Sequence, residues 1–266
     1  PSLKQLFIGS EGVFGVITKA TVRVFRLPEA HVLRAVAFDS FDQGFNAAAE
    51  MFALGVRPTL VDLTEEEDGV LFLLVFEGFK EGVQANESRA LAVCAQFGGR
   101  SLGPEPTAAY WEERHQSAEN YKATALGKPR SVRWSRWRGR RGFDYLHLGL
   151  PISQVLEYRR KCDEIMAKEG VRCVEYAIWS RPELFSMLIT SDSGVTADSR
   201  ERLGTTVDQV LRLAQDMGGV MEYCNGVGVK LNHLLAREMG VGQEVVRTIK
   251  QALDPNDIMN PGKLGL

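Results

Sequence analysis

The sequence lacks the features that mark membrane-spanning and strongly charged proteins. Its longest apolar stretch, residues 69–76, has the length of a strand and falls short of the ~18–20 residues that cross a bilayer. The first residues carry no apolar region of the kind found in signal peptides, so we expect no signal peptide. With 32 Lys and Arg against 34 Asp and Glu, the formal charge is −2, which argues against a dedicated nucleic-acid binder.

Cysteine is scarce and scattered. The four cysteines, Cys94, Cys162, Cys173 and Cys224, form no C-x-x-C pair, which disfavours a zinc site. Scattered cysteines without a secretory signal indicate reduced thiols, most of them buried. We therefore expect a cytoplasmic protein without a metal.

What the sequence does contain is an ordinary globular composition, with 44% hydrophobic and 25% charged residues. Over residues 30–103 the apolar patterns predict the order strand, helix, strand, strand, helix, strand, which is the ferredoxin-like βαββαβ unit. Ser40 and Gln43 have the spacing of a capping box at the first helix, which is predicted to end at Gly55.

The same order of elements returns over residues 143–225. In each half the first predicted helix ends in Gly-Val-Arg and the second in Gly-Gly. Asp198 or Ser199 is predicted to open the second helix of this half, and residues 220–223 its last strand. We interpret the chain as a duplicated α+β unit; two unrelated α+β modules are the alternative.

The remaining segments flank and connect these halves. Residues 6–27 are rich in β-branched residues and predict a strand-rich piece. Residues 104–142 connect the two halves, and residues 226–266 predict a helical tail with loops.

Two motifs near the ends of the chain carry a family resemblance. G-S-E-G-V-F-G-V-I-T (residues 9–18) closely resembles the G-S-E-G-T-L-G-V-I-T signature of FAD-linked oxidases of the vanillyl-alcohol oxidase / p-cresol methylhydroxylase type. A-L-D-P-N-D-I-M-N-P-G-K (residues 252–263) resembles the closing L-D-P-x-x-I-x-N-P-G-K of that family. The family's substrate domain is also a pair of ferredoxin-like units. The nearest branches look like alkyldihydroxyacetonephosphate synthase, D-lactate dehydrogenase and the glycolate oxidase FAD subunit.

The resemblance implies that this chain is the C-terminal half of such an enzyme. It implies that residues 1–27 end the FAD-binding domain, residues 28–225 form the substrate (cap) domain, and residues 226–266 return to the FAD site. The implied cofactor is FAD. Its implied contacts are backbone groups of Glu11, Gly12, Gly15, Val16 and Ile17, with Asn260 near the flavin ring.

The chain departs from the family at the positions where histidines are expected. Members carry H-G-x-G or H-H-H-G after the last strand of the second half, where this chain has E-Y-C-N-G-V-G (residues 222–228). It also has no counterpart of the G-D-G-N-x-H stretch of metal-dependent members, which disfavours a catalytic metal. Tyr223 and Asn225 become candidate catalytic residues at these positions; ordinary packing at a strand end is the alternative.

A second pair of candidates comes from the strand predicted over residues 143–150. Alternation places Tyr145 and His147 on one face and three leucines on the other. If the leucines pack on helices, Tyr145 and His147 face the side where a flavin would lie. A half-buried histidine with satisfied hydrogen bonds is the alternative.

The segment K-P-R-S-V-R-W-S-R-W-R-G-R-R (residues 128–141) is the most basic part of the chain. By resemblance to the synthase branch, Arg133, Arg136 or Arg138 binds the anionic group of the substrate, since a guanidinium binds a carboxylate or phosphate bidentately. A surface loop that touches anionic lipid or nucleic acid, and a solvated loop, are the alternatives.

The resemblance carried by the two end motifs implies an FAD-dependent oxidoreductase that oxidises a small 2-hydroxy acid or a similar anionic alcohol by hydride transfer to flavin. An alkyldihydroxyacetonephosphate-synthase-like flavoenzyme, and a non-catalytic binding module that uses the Arg/Trp segment, are the alternatives. The expected partner is a small anionic substrate, without nucleic acid. Membrane contact and a homodimer stay open.

Overall fold

The computed structural model describes residues 2–129, 142–191 and 195–266, and seven strands in these residues form one antiparallel sheet. The strands are β1 (Ala30–Phe38), β2 (Leu60–Glu66), β3 (Gly69–Gly78), β4 (Arg100–Gly103), β5 (Phe143–Gly149), β6 (Val171–Trp179) and β7 (Leu184–Ser191). Their order across the sheet is β4-β1-β3-β2-β6-β7-β5.

The described α-helices lie before, between and after the strands. They are α1 (Lys4–Phe7), α2 (Phe41–Ala53), α3 (Lys80–Gln96), α4 (Glu105–Glu113), α5 (Gln116–Tyr121), α6 (Val155–Glu169), α7 (Ala197–Asp216), α8 (Asn232–Met239) and α9 (Gly242–Leu253). None of them combines the length and the apolar character that crossing a bilayer requires.

The first half of the sheet has the predicted ferredoxin-like order. β1, α2, β2, β3, α3 and β4 follow one another along the chain, and the strands pair in the order β4-β1-β3-β2. β3 is nearly continuously apolar and buried, as its sequence predicts for a central strand. The α+β fold class with an antiparallel sheet is thereby confirmed.

The second half repeats this order up to its last strand, where the prediction is wrong. Residues 220–223 form no strand; Val220 makes one isolated bridge with Gly149. The chain then turns, because the Glu222 carboxylate accepts hydrogen bonds from the backbone N–H groups of Cys224 and Asn225, at 2.7 and 2.9 Å. Because these backbone N–H groups are bonded to the Glu222 side chain, the chain turns away from the sheet edge instead of extending along it.

Two helix starts differ in detail from the prediction. The Ser40 hydroxyl accepts from the backbone N–H of Gln43 as predicted, but the Gln43 side chain accepts from Asp39 rather than from Ser40. The cap of α7 is Thr196, one residue before the helix, and it exchanges reciprocal hydrogen bonds with Ser199. Both arrangements still satisfy N–H groups at the start of a helix.

The N-terminal segment is not the predicted strand-rich piece. α1 occupies Lys4–Phe7, and residues 8–29 contain no helix or strand. The side chains of Val22, Val24 and Leu27 are 75%, 83% and 94% exposed. A strand is stable only beside another strand, and no described strand pairs with this segment.

The two halves merge into one sheet through β2 and β6. These strands pair antiparallel from Asp62 opposite Trp179 to Glu65 opposite Tyr176. α2, α3, α6 and α7 cover one face of the sheet, and the core runs across the junction without a break. Phe41 of α2 shows this most clearly, because its ring lies 6.0 Å from that of Phe185 on β7.

An arginine also ties the halves together. Arg159 of α6 pairs with Glu65 and approaches Asp42 at 3.9 Å, and both carboxylates belong to the first half. Its guanidinium lies 4.2 Å from the ring centroid of Tyr176 and 4.8 Å from that of Phe41. Because its side chain is only 18% exposed, these interactions are weakly screened by water.

Arg159→Met is expected to lower the free energy of unfolding by about 1–3 kcal/mol, because it leaves Glu65 without its cation in a half-buried position. Arg160→Met is the matched control. Its side chain is 67% exposed and, among the described residues, pairs with Glu157 one turn away, so the expected change is below about 0.5 kcal/mol. Urea denaturation of the two variants measures the difference, and equal losses would contradict the account.

Candidate functional site

The face of the sheet opposite the four helices, called the open face below, carries the predicted polar residues. On β5, Leu146 and Leu148 pack in the core, while Tyr145 and His147 alternate onto the other side, as expected. Cross-strand register adds further residues to the open face: Ser186 on β7, Glu175 and Trp179 on β6, and Asp62 and Thr64 on β2.

Four rings form a cluster on the second half of the open face. The ring centroids of Tyr145 and His147 lie 4.7 Å apart, and Trp179 lies 5.6 Å from the first and 5.3 Å from the second. Tyr223 lies 5.7 Å from His147. The structure thus brings together three of the four predicted catalytic residues. The side chain of Asn225 is exposed and makes no hydrogen bond to the cluster.

Glycines allow the loop that carries Tyr223 to reach the cluster. A Cβ on Gly219 would lie 2.6 Å from the carbonyl oxygen of Gly149, and a Cβ on Gly149 would lie 2.7 Å from a methyl group of Val220. The Tyr223 backbone N–H then donates to the His147 carbonyl at 3.0 Å. Any larger residue at these two glycines would push the loop, and Tyr223 with it, away from β5.

A chain of hydrogen bonds links the cluster internally. Nδ1 of His147 lies 3.0 Å from the Ser186 hydroxyl, which lies 2.9 Å from the Tyr223 hydroxyl. Ser186 is fully buried and His147 is 4% exposed. Burial lowers the pKa of His147, against the opposing charge of Glu222, and raises the pKa of Tyr223. Both groups are therefore favoured in their neutral forms at neutral pH.

A cavity of about 990 Å³ adjoins the cluster, between the open face and Tyr110 of α4. Four carboxyl groups line it, those of Asp62, Glu66, Asp68 and Glu175, and two of them are partly or fully buried. Asp62 is 9% exposed and accepts a hydrogen bond from Thr64 at 2.7 Å, and Glu175 accepts one from the Tyr145 hydroxyl. Burial raises the pKa of these two carboxyl groups. Shifted carboxyl groups that line a cavity are typical of functional sites.

Sequence reasoning missed Asp62, Glu175, Trp179 and Ser186. A usable signal existed for Asp62, a lone acid inside the apolar run of β2, since such a residue must find partners when the strand is buried. Nothing in a single sequence pairs Ser186 with His147, because their contact depends on the register between β5 and β7.

The two end motifs meet at Glu11. Its carboxylate accepts hydrogen bonds from the backbone N–H of Gly228, at 2.9 Å to each oxygen. Its carbonyl oxygen accepts a hydrogen bond from the side-chain amide of Asn260. Gly228 follows the loop of Tyr223 in the chain, so Glu11 links both end motifs to this loop.

A buried ion pair shapes the closing motif. Lys250 pairs with Asp254 and donates to the carbonyl of Met259 at 2.8 Å. The Asp254 carboxylate also accepts from the backbone N–H groups of Ile258 and Met259, at 3.1 and 2.8 Å. These bonds fix the turn that presents Asn260, whose φ is +45°.

The glycine-rich turn fits a flavin. Gly9 and Gly12 have φ of +77° and +80°, which glycine adopts without strain. In the described part of the chain, the backbone N–H groups of Gly15, Val16 and Ile17 donate no hydrogen bond. A flavin requires hydrogen-bond partners along its ring and ribityl edges, and these free N–H groups would supply them, together with Asn260, which contacts Glu11.

Two further expectations concern cations and metals. Arg133, Arg136 and Arg138 lie outside the described residues. Over residues 2–129, 142–191 and 195–266, no three His, Cys, Asp or Glu side chains come together as metal ligands. The four cysteines are free thiols; Cys94 and Cys162 are buried.

Asp62→Asn is expected to raise the free energy of unfolding at neutral pH by roughly 0.5–2 kcal/mol, because it removes a buried charge and keeps an acceptor for Thr64. Burial raises the pKa of Asp62 in the folded protein above its value in the unfolded chain. The charged carboxylate therefore lowers the free energy of unfolding of the wild type only where the pH lies above the pKa of the unfolded chain. The advantage of the variant therefore shrinks as the pH falls from about 7 to about 4.

Urea denaturation across this pH range measures the effect, with Asp68→Asn in the exposed turn between β2 and β3 as the control. A variant less stable than the wild type at neutral pH would show that the carboxylate stabilises the fold.

Comparison with known proteins identifies the fold and the family. The family described as FAD linked oxidases, C-terminal domain, matches residues 27–264. A probable mitochondrial D-lactate dehydrogenase from Danio rerio is 25% identical over 283 residues, which cover 99% of this chain and 54% of that protein. A D-lactate dehydrogenase from Archaeoglobus fulgidus is 27% identical over 282 residues, covering 99% and 58%. The chain thus spans about half the length of these curated relatives.

A solved structure of an alkyldihydroxyacetonephosphate synthase has the same fold. It superposes with a TM-score of 0.65 at 15% identity, covering 98% of this chain and 49% of that one. The family match extends over most of the chain, and the fold agrees with it. The chain therefore belongs to the family of FAD linked oxidases, as its C-terminal domain.

Proposed function

We propose that this chain is the substrate-binding part of a longer FAD-dependent oxidoreductase that oxidises a small 2-hydroxy acid or a similar anionic alcohol. The contact of Glu11 with Asn260 and Gly228 carries the proposal, because it joins both end motifs to the loop of Tyr223. The relatives named D-lactate dehydrogenase support the substrate class.

The open face supplies groups that hold the substrate hydroxyl. A phenol has one proton and two lone pairs, so Tyr223 can bond Ser186 and the substrate at once. Tyr145 is less suited, since its proton is donated to Glu175. The rings of Tyr145 and Trp179 exclude water from this region. FAD, when bound, takes up the hydride that leaves the substrate carbon.

The carboxylate of the substrate needs a cation. Among the described residues that line the cavity, the only cation is Arg100. The sequence resemblance points instead to Arg133, Arg136 and Arg138, and we propose these arginines as the partners of the carboxylate. A cytoplasmic location and a homodimer also remain predictions from sequence.

The test uses the full-length, FAD-loaded protein. Anaerobic mixing with a panel of 2-hydroxy acids of both configurations is expected to bleach the visible absorbance of the flavin. A colourless protein that binds no FAD, or a flavin that no acid bleaches, would contradict the proposal. Formation of an alkyldihydroxyacetonephosphate would favour the synthase-like alternative.

Tyr223→Phe is expected to lower kcat for the active acid by about 10²-fold to 10⁴-fold, because the hydroxyl that contacts the substrate is lost while the ring remains. Tyr121→Phe, on an exposed helix of the connection, is the control and should leave kcat unchanged. Steady-state kinetics measure kcat for the wild type and both variants. An equal kcat in the wild type and in Tyr223→Phe would show that Tyr223 does not belong to the proposed site.

A further inference from the structure

Ser186 occupies a position that the proposed function does not explain. It lies on β7 between two candidate residues, with its hydroxyl 3.0 Å from His147 Nδ1 and 2.9 Å from the Tyr223 hydroxyl. The side chain is fully buried, and both contacts belong to one uninterrupted chain of hydrogen bonds. A hydroxyl can donate to one neighbour while its oxygen accepts from the other.

We propose that Ser186 is a proton-relay residue that connects the Tyr223 hydroxyl to the imidazole of His147. The proposal rests on the proposed function, since it needs a substrate hydroxyl that loses its proton. Tyr223 is then the group that touches the substrate, Ser186 acts through Tyr223, and His147 is the final acceptor.

The proton moves in three linked transfers. The substrate O–H bond breaks as its proton passes to the Tyr223 oxygen, the Tyr223 proton passes to the Ser186 oxygen, and the Ser186 proton passes to His147 Nδ1. The substrate C–H electron pair leaves as hydride to the flavin, which is the oxidant. The substrate becomes a carbonyl compound and His147 becomes an imidazolium.

The resting state that this transfer needs has a defined tautomer. His147 must carry its proton on Nε2, so that Nδ1 accepts from Ser186. In the described chain Nε2 makes no hydrogen bond, which leaves it available to release the proton afterwards. A neutral imidazole is also required, and burial lowers the pKa of His147 in that direction.

The groups around His147 decide how this imidazole titrates. Tyr145 from β5, Trp179 from β6 and Tyr223 from the loop pack against its ring, and all three are uncharged at neutral pH. Glu222 is the nearby charged group, and it opposes the effect of burial. The activity is therefore expected to fall on the acid side, below the ordinary imidazole pKa of about 6.5.

The experiment compares Ser186→Ala with Thr107→Val in full-length, FAD-loaded protein. Thr107 of α4 is another fully buried residue, and its hydroxyl donates to the carbonyl of Arg34 on β1 at 2.7 Å. The Thr107→Val variant therefore controls for the loss of a buried hydrogen bond. Ser186→Ala is expected to lower kcat about 10-fold to 10³-fold with KM nearly unchanged. Thr107→Val should change neither.

Three readouts separate a relay from a structural role. In the wild type, the acid limb of the dependence of kcat on pH should follow the titration of His147. The proton inventory, which is the dependence of kcat on the D2O fraction in mixed H2O and D2O, should be curved because several protons move together. In Ser186→Ala the acid limb should disappear and the inventory should become linear. Nitrogen-15 NMR of labelled histidine should show the Nε2–H tautomer in the wild type and a mixture in the variant. Ser186→Thr, which keeps the hydroxyl, should restore the wild-type pH profile.

The outcomes distinguish this inference from the proposed function. If no 2-hydroxy acid reduces the flavin, the proposed function fails and the relay fails with it. If the acids do reduce it, but Ser186→Ala keeps the wild-type kcat, pH profile and inventory, the relay alone is overturned. An Nδ1–H tautomer of His147 in the wild type also overturns the relay, whatever the kinetics.

Discussion

The pairing of β2 with β6 is the constraint on which the rest of the site depends. It joins the two halves of the chain into one sheet, and its register places Asp62 beside Trp179. A slip of one residue would send every side chain of one half to the opposite face, and the open face would lose its polar residues to the core. The continuous core beneath the junction, with Phe41 packed across it, and the Arg159 contacts oppose such a slip.

Several polar groups on the open face of this sheet are buried, among them Asp62, His147 and Ser186. Asp62 and Glu175 are held in surroundings that disfavour their charge, and His147 is held neutral for the same reason. Such groups reduce stability, and proteins retain them where binding or proton transfer needs them. They lie together on the open face, opposite the helices, beside the loop that leads to Glu11.

Much of this arrangement was readable from the sequence. Glycines at matching positions indicated the repeated order of elements, strand alternation placed Tyr145 and His147 on the face opposite the leucines, and the motifs at both ends indicated one family. The strand prediction for residues 6–27 was wrong because a strand needs a neighbour, which β-propensity does not provide. Trp179 and Ser186 were missed because their roles arise from register between strands distant in sequence.

The most direct test of the central claim is a crystal structure of the full-length protein with FAD bound. The account predicts that the isoalloxazine ring lies against the open face, within contact of Tyr223, with the glycine-rich turn and Asn260 at its edge. A flavin bound on the helix-covered side, or one whose ring contacts neither Tyr223 nor the glycine-rich turn, would contradict it.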